Sequence, residues 1–477
     1  MGWRKTLVIM WTTRSLICVA VLTLAFAIII IPASQALDLH NQGLMQIDFS
    51  PPESHVFIGS PSIAIMPNGA LLASHDTFYN PTPAQTHIFT SLNRGLTWLK
   101  LAIVSNQYWS SLFLYDNKVY LLGTTHCGRG AEISIAESVD GGATWNRTTL
   151  ISPPSDCSFA TGSVTVVQTQ GYILRSFESW CHQTLHWPQS YQSHVAYAPV
   201  GSDLADPESW RVTEGRPFDP TTMIPSWFPD PITQGGFLEG SVVQGPGDKI
   251  YLMMRCLFND VVPGRGTKRR YEDGNEAAAA IPVGMPIDSI PYNNNLAREY
   301  TLQHACMFEI VDLGPTPHHL QISMDNRKEA RLAWKGVVSM PGGGNKFNII
   351  QDPKTKVYVS LTNPSIDRYG VHFDARNKLT LIWSINCRDW RVAKTVLEPN
   401  DGFVSWEESL LKTGYHYSSL LIDGDDIVAV IRTAWDGADS YHNSNRLTFK
   451  RIEKFRDLLE LEEGRGSGIA IARKAVT

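Results

Sequence analysis

The chain has 477 residues, 10% of them aromatic, and 36 glycines, a composition that suits a β-rich, turn-rich protein. Its length exceeds the about 100–200 residues of a typical domain, so either several domains or one architecture that grows by repetition is required. The net charge of −5 is small for this length and no basic stripe appears, which excludes a nucleic-acid partner.

Arg4, Lys5 and Arg14 precede an apolar run from Leu16 to Ile31, and Ser34-Gln-Ala36 supplies small residues at a possible cleavage point. The run falls between the ~7–15 residues of a signal-peptide core and the ~20 of a membrane span. Two readings of residues 1–36 therefore stand: a cleaved signal, or an uncleaved type II anchor that would make the membrane a partner. Both predict a secreted or single-pass protein with the bulk of the chain lumenal or extracellular. Asn146-Arg-Thr148 is a glycosylation sequon, in keeping with that compartment. Six cysteines follow Cys18 at wide spacings; a bridge among Cys127, Cys157 and Cys181 is open, and spacing alone does not pair them.

Short strand-like runs then alternate with a recurring phrase. Ser138-Val-Asp140-Gly-Gly142-Ala-Thr144-Trp145 is echoed by Ser91-Leu-Asn93-Arg-Gly95-Leu-Thr97-Trp98, and in altered form by Ser384-Ile-Asn386-Cys-Arg388-Asp389-Trp390. In each, a Ser or Asp/Asn side chain can bond backbone amides two or more residues on, Gly offers a positive-φ position, and Trp folds back over the turn. Such a unit stabilises a turn and carries no chemistry. Its recurrence every 40–60 or so residues predicts a β-propeller.

Blades are expected at about 55–98, 101–145, 163–210, 237–335, 346–390 and 415–452. Asp203-Leu-Ala-Asp-Pro-Glu-Ser-Trp210 reads as a further, eroded copy of the phrase. The strand around Leu44–Phe49 is expected to close the ring beside the sixth blade. Between Asn259 and Glu299 strand alternation fails, which predicts a long polar insertion within blade four. Residues 457–477 read as a loose tail with a short helix at most.

The phrase resembles the Asp-box of the sialidase (neuraminidase) superfamily, and the resemblance spans about 44–456. It implies an all-β fold, a six-bladed β-propeller with a sugar-binding pocket on its axis. Four segments resemble the family's active-site segments. Phe237-Leu-Glu239 followed by Tyr251-Leu-Met-Met-Arg255 implies a Glu serving the nucleophile and an Arg gripping a carboxylate. Arg376, opening the strand before the third phrase, implies a second carboxylate-binding Arg. Gly414-Tyr-His416-Tyr417-Ser418 implies Tyr417 as nucleophile; with a free pKa of about 10 a Tyr needs a base and nearby positive charge. The run from Arg432 through Trp435-Asp436 to His442 and Asn445 implies a pocket rim, with Arg432, Asp436, His442 and Asn445 as sugar contacts or turn braces.

Two departures stand beside these matches. The first triad Arg of the family is missing, since the equivalent stretch reads Phe57-Ile-Gly-Ser60-Pro61. The loop Tyr79–Thr86, where the family's acid Asp falls, has no acid; Asp76, relayed or replaced by His75, is the nearest candidate. Losing a general acid typically costs 100–10,000-fold in rate. The expected function is a sialidase-like exo-glycosidase on terminal, acidic sugars, with glycan as partner. A polysaccharide lyase using Arg255, Tyr417 and His442, or a non-catalytic carbohydrate-binding propeller, remains open beside it. No cofactor is expected, and no metal, because the histidines are scattered without acidic partners in ligand spacing.

Overall fold

The computed structural model describes residues 39, 42–78, 84–181, 188, 190–224, 234–259, 303–313, 330–364, 366–367, 370–371, 375–399, 404–462 and 471–472. The chain divides into two compact units, Met1–Leu44 and Met45–Thr477. In the first, only 39 and 42–44 are described, so the expected signal or anchor lies outside the described residues, as does the insertion from 260 on. Among the described residues no helix is long and apolar enough to cross a membrane.

Among the described residues the second unit holds six antiparallel sheets of four or more strands, taken in chain order, and two small two-stranded ones. Blade I comprises Ser62–Ile65 with Phe57–Ile58 beyond it, Leu71–Phe78, Gln85–Ser91 and Leu99–Ser105. Blade II comprises Tyr108–Tyr115, Lys118–Thr124, Ile133–Ser138 and Asn146–Ile151. Blade III pairs both Ser158–Ala160 and Val167–Thr169 with Tyr172–Trp180, then Tyr191–Pro199 and Arg211–Val212. Blade IV comprises Gln234–Gln244, Ile250–Asn259, His304–Val311 and Arg331–Ser339. Blade V comprises Ile349–Gln351, Tyr358–Thr362, Leu379–Ser384 and Arg391–Leu397. Blade VI takes Gly414–Asp423, Asp426–Ala434 and Arg446–Ile452 from the end of the chain, and Leu44–Phe49 from its beginning as the outermost strand. The expected ring closure is therefore observed.

The repeated phrase joins the third and fourth strands of a blade, so blades I, II, III and V each run one strand past the Trp at which the sequence reading ended them, while blade VI ends at Ile452 as expected. Asp140 Oδ1 accepts from the Ser138 hydroxyl (2.8 Å) and the amides of Ala143 and Thr144, and Trp145 Nε1 donates to Gly142 O (2.8 Å). Asn93 and Trp98 repeat this at 2.9 and 3.0 Å. The altered copy keeps the Trp390–Cys387 bond at 3.1 Å, with Cys387 holding the positive φ (62°) that a Gly holds in the others. In blade III, Trp210 Nε1 folds back onto Leu204 O (2.9 Å), so the eroded copy still makes the turn. Asn146 opens the strand after its turn with an exposed side chain.

The core consists of apolar layers between neighbouring blades. Ile63 and Phe89 of blade I meet Val428 and Phe449 of blade VI; Tyr120 and Ile135 of blade II meet Phe159 and Phe177 of blade III; Leu174 of blade III meets Phe237 and Leu252 of blade IV. Each blade thus stabilises the next, and burial of about 25 cal/mol per Å² accumulates around the ring. Near the axis, short polar side chains stitch the innermost strands together. Ser62 Oγ accepts from Leu112 N, Ser111 Oγ donates to Val164 O, Ser241 Oγ accepts from Ile349 N, and Asn348 Nδ2 donates to Ser418 O.

Among the described residues two disulfides are present. Cys157–Cys181 continues the register of Ser158 opposite Trp180, and Cys256–Cys306 joins adjacent strands of blade IV just past Arg255. Cys127, weighed as a partner for the first, is free. At the end of the propeller range Phe455 is buried and Arg456 bridges Asp352 (2.6 Å) and Asp425 (2.8 Å); a few residues on, Leu459 is buried as well.

Candidate active site

The site is built by bulges. The innermost strands of blades II, IV and VI each slip register near the same end, at Tyr108/Ser111, Leu238/Ser241 and His416/Ser419. The bulged residues Trp109, Glu239 and Tyr417 all carry positive φ (47°, 55° and 53°). Non-glycine residues rarely adopt this conformation, and when they do it is often where a bulge re-aims a side chain. The neighbouring strand repeats the logic. Just before the bulge, Leu238 pairs with Arg255 and His416 with Arg432, while Ala160 of blade III pairs with Glu178.

These elements bring Glu239, Arg255, Arg376, Tyr417 and Arg432 together. Arg255 is the hub: Nη1 donates to Glu239 Oε2 at 3.1 Å and to the Tyr417 hydroxyl at 3.4 Å, while Nε donates to Gly344 O at 2.8 Å. One guanidinium nitrogen thus touches both the candidate nucleophile and its candidate base. Arg376 and Arg432 lie over the Tyr417 ring at 5.7 and 5.1 Å. Position 60 does carry Ser, yet blade VI supplies a third guanidinium at this tyrosine. Arg376 Nη1 is 3.0 Å from His416 Nδ1, and His416 Nε2 is 3.1 Å from Ser444 Oγ. Burial, with Arg432 and Arg376 nearby, holds His416 well below its ordinary pKa. The ring is therefore neutral: Nδ1 accepts from Arg376 and Nε2–H donates to Ser444, which fixes the arginine's angle.

Burial and the charge of Glu239 raise the Tyr417 hydroxyl above its ordinary pKa, against the pull of the three arginines. Asp76 is also raised by burial, and its Oδ2 accepts from Trp109 N at 2.8 Å. His75 is not brought to this cluster. Adjacent residues on a strand face opposite ways, and His75 points toward Asp48, 2.9 Å from Nε2. Asp436 is exposed at a turn, and Asn445 is buried bracing that turn through Trp435 N and the carbonyls of Trp435 and Asp436. His442 lends its carbonyl to Arg432 and sets its ring edge against Phe78.

Three charged residues beneath the bulges escaped the sequence reading. Glu178 is fully buried and pushed up to about 8 by burial and by the charge of Glu239, even though the amides of Glu239 and Gly240 bond it. Lys346 donates to Ser163 O at 2.8 Å and is pushed down to about 7 by burial. Arg175 Nη2 ties the carbonyls of Trp109 and Gly162 (3.0 and 2.9 Å). One signal was available for Glu178. It closes a strand in Phe177-Glu178-Ser179-Trp180 as Arg255 does in the next blade, at the same offset from the inner strand.

The fold is a six-bladed β-propeller whose bulges gather Glu239, Arg255, Arg376, Tyr417 and Arg432 into one cluster. Comparison with solved structures agrees at the level of the fold. The chain is similar to the α-L-arabinofuranosidase Arb93A of Fusarium graminearum in complex with an iminosugar inhibitor (12% identity, 86% of this chain and 97% of that one, TM-score 0.52). It is similar to the α-L-arabinanase of Penicillium chrysogenum complexed with arabinobiose (10% identity, 86% and 99%, TM-score 0.50). A mutant of Trypanosoma rangeli sialidase displaying trans-sialidase activity also matches (14%, 87% and 59%, TM-score 0.48). No protein-family model matches the sequence, and neither does any curated protein.

Proposed function

We propose that the chain is a glycoside hydrolase that removes a terminal anionic sugar from a glycan, working in the secretory or extracellular space. The observation that carries this reading is Arg255 Nη1, which holds Glu239 and the Tyr417 hydroxyl on one nitrogen. Tyr417 attacks the anomeric carbon as Glu239 takes the phenolic proton and the aglycone leaves; water then attacks the same carbon, the tyrosine oxygen departs and regains the proton from Glu239, and the water's proton restores the acid. A neutral nucleophile ringed by Arg255, Arg376 and Arg432 accepts an anionic sugar that a carboxylate would repel. The leaving group needs a proton, and Glu178, pushed up to about 8, still carries one at neutral pH, so it takes the role of donor. The glycosidases among the structural neighbours and the two disulfides support the class and the compartment.

A second reading is favoured by one observation: Tyr417 is raised, not lowered, in pKa. Here Glu239 attacks directly, Glu178 remains the donor, and Tyr417 steadies developing charge. Tyr417→Phe separates the two. The full chain is assayed on aryl sialosides, uronosides and arabinofuranosides, with product followed by NMR. Reducing sugar of retained anomeric configuration is expected. With Tyr417 as nucleophile, the Phe variant loses at least about 1000-fold in kcat with KM little changed; with Glu239 as nucleophile the loss stays nearer tenfold. An unsaturated product, or binding without turnover on every glycoside, overturns the hydrolase reading.

A further inference from the structure

Away from the pocket, three residues far apart in sequence converge where the ring closes. Asp48 lies on the strand Leu44–Phe49, the outermost of blade VI, while His75 and His87 are register partners on the second and third strands of blade I. Their rings stand 4.9 Å apart. Asp48 Oδ2 is 2.9 Å from His75 Nε2 and 3.8 Å from His87 Nδ1, and the three atoms all lie within 4.8 Å of one another.

Hydrogen bonding shows what each ring nitrogen faces. His75 Nδ1 is 2.8 Å from Asp76 O, and a carbonyl only accepts, so Nδ1 bears a proton. Nε2 faces a carboxylate that also only accepts, so this contact needs either a second ring proton or a shared cation between the two atoms. His87 Nδ1 is 3.2 Å from Lys100 Nζ, an ammonium that only donates, so this nitrogen is a lone-pair donor. Asp48 Oδ1 accepts from Phe49 N at 3.0 Å, which turns Oδ2 inward. Two imidazole nitrogens and a carboxylate oxygen therefore meet, with the exposed Lys100 against one of them.

We propose that Asp48, His75 and His87 form a binding site for a divalent transition-metal ion of the Zn²⁺ type, clasping blade VI to blade I. Zn²⁺ takes imidazole nitrogen and carboxylate oxygen at about 2.0–2.1 Å in tetrahedral array, which separates ligand atoms by about 3.3 Å. The observed 2.9 and 3.8 Å bracket that spacing. The surroundings match what metal-bound histidines usually have. The far nitrogen of His75 donates to a backbone carbonyl, and Phe89 stacks on its ring at 5.6 Å. His75 is 1% exposed, but Asp48 at 28% and His87 at 14% open a path from solvent, and Lys100 swings aside. Two His and one Asp leave a fourth position for water. Mg²⁺ and Ca²⁺ prefer all-oxygen sites and are not expected to bind. Because His75 also holds the carbonyl of Asp76, an ion here steadies one wall of the glycan pocket from behind.

The test uses untagged full-length protein stripped with EDTA and dialysed. Titration calorimetry with ZnCl₂ should give one ion per chain with micromolar or tighter Kd, and Tm should rise with Zn²⁺ and not with equimolar Mg²⁺. Co²⁺ should give the visible bands of a four-coordinate ion. Asp48→Asn and the milder, partly exposed His87→Gln should each weaken Kd at least about 30-fold. The proposal is overturned by Zn²⁺ affinity unchanged in both variants, by equal Tm shifts with Mg²⁺, or by long-range ¹⁵N NMR showing His75 doubly protonated with and without Zn²⁺. That last result would make the cluster a plain ion pair. None of these readouts depends on glycan turnover, so this site and the proposed activity stand or fall separately.

Discussion

Glu178→Gln tests the acid assignment through stability as well as rate. Glu178 is moved from 4.5 to about 8 inside the protein, burial being the larger cause. For a carboxyl raised on folding, the native state binds more protons than the unfolded one between those two values, so stability falls as pH rises through that window and levels off above it. At about 1.4 kcal/mol per unit the full cost of ionising the buried group approaches about 5 kcal/mol. Near pH 4.5 the protonated Glu and the Gln amide are close to isosteric and the two proteins should be equally stable. The variant should then gain steadily, reaching an advantage of several kcal/mol at about pH 8. Urea melts of parent and variant in parallel buffers from pH 4.5 to 9 measure the difference and cancel every other titrating group. On the kinetic side, the parent's kcat/KM should fall above about pH 8, and the variant should lose both that limb and about 100–10,000-fold in rate on alkyl glycosides. Aryl glycosides, whose leaving groups need little protonation, should be spared most of that loss. A stability difference that stays flat across the range refutes the raised pKa; an alkaline limb surviving in the variant refutes the donor.

Two further outcomes follow from the scaffold. Gly95 has φ +92°, and a Cβ there would lie 2.2 Å from Phe449 Cε1 across the blade I–VI seam, so Gly95→Ala should cost about 2–4 kcal/mol by thermal melting. Gly69 has φ +83° with nothing within 4 Å, so Gly69→Ala should cost only about 1 kcal/mol, and equal losses would show that the seam is not tight. Replacing Cys157 and Cys181 by Ser frees a loop of 24 residues and, with Cys256–Cys306 left intact, should lower stability by about 3 kcal/mol in urea melts run without reductant.

How much was legible in the sequence depended on the range of the interaction. The turn phrase spans eight residues and its bonds close within them, so Asp140, Asn93 and Asn386 could be read directly, and the ring followed from their recurrence. Glu239, Arg255, Arg376 and Tyr417 were reached through motif resemblance, and the structure brings all four together. His75 was misjudged although strand parity spoke against it: with Asp76 facing the pocket, its neighbour had to face away. Asn445 and Asp436 looked like sugar contacts because polar residues after an apolar strand suit a rim and a turn equally well. Glu178 and Lys346 were missed because nothing local marks a charge as buried; their environment is made by bulges in other blades. The Asp48–His75–His87 cluster was missed for the same reason, since its members meet only once the ends of the chain are joined.

That joining imposes an order of events on the molecule. The strand that finishes blade VI leaves the ribosome before blades I to V, and the three strands it must find leave after them; Gln46 and Arg446, bonded at 3.2 Å, are 400 residues apart. Until blade VI is made the first blade has no neighbour on one side, and blade VI, before the leading strand docks, shows a bare edge at Arg446–Ile452. The entropy of closing so long a loop exceeds that of a 40-residue one by only about 2 kcal/mol, so the delay is one of time rather than equilibrium. During that interval the edge can accept the leading strand of any nascent copy nearby, and crowding many chains on one message would favour exchanged dimers over closed rings. A chain rearranged so that its ends fall within a blade interface, with Leu44–Phe49 made immediately after Arg446–Ile452, would close its clasp in a single hairpin and escape that hazard.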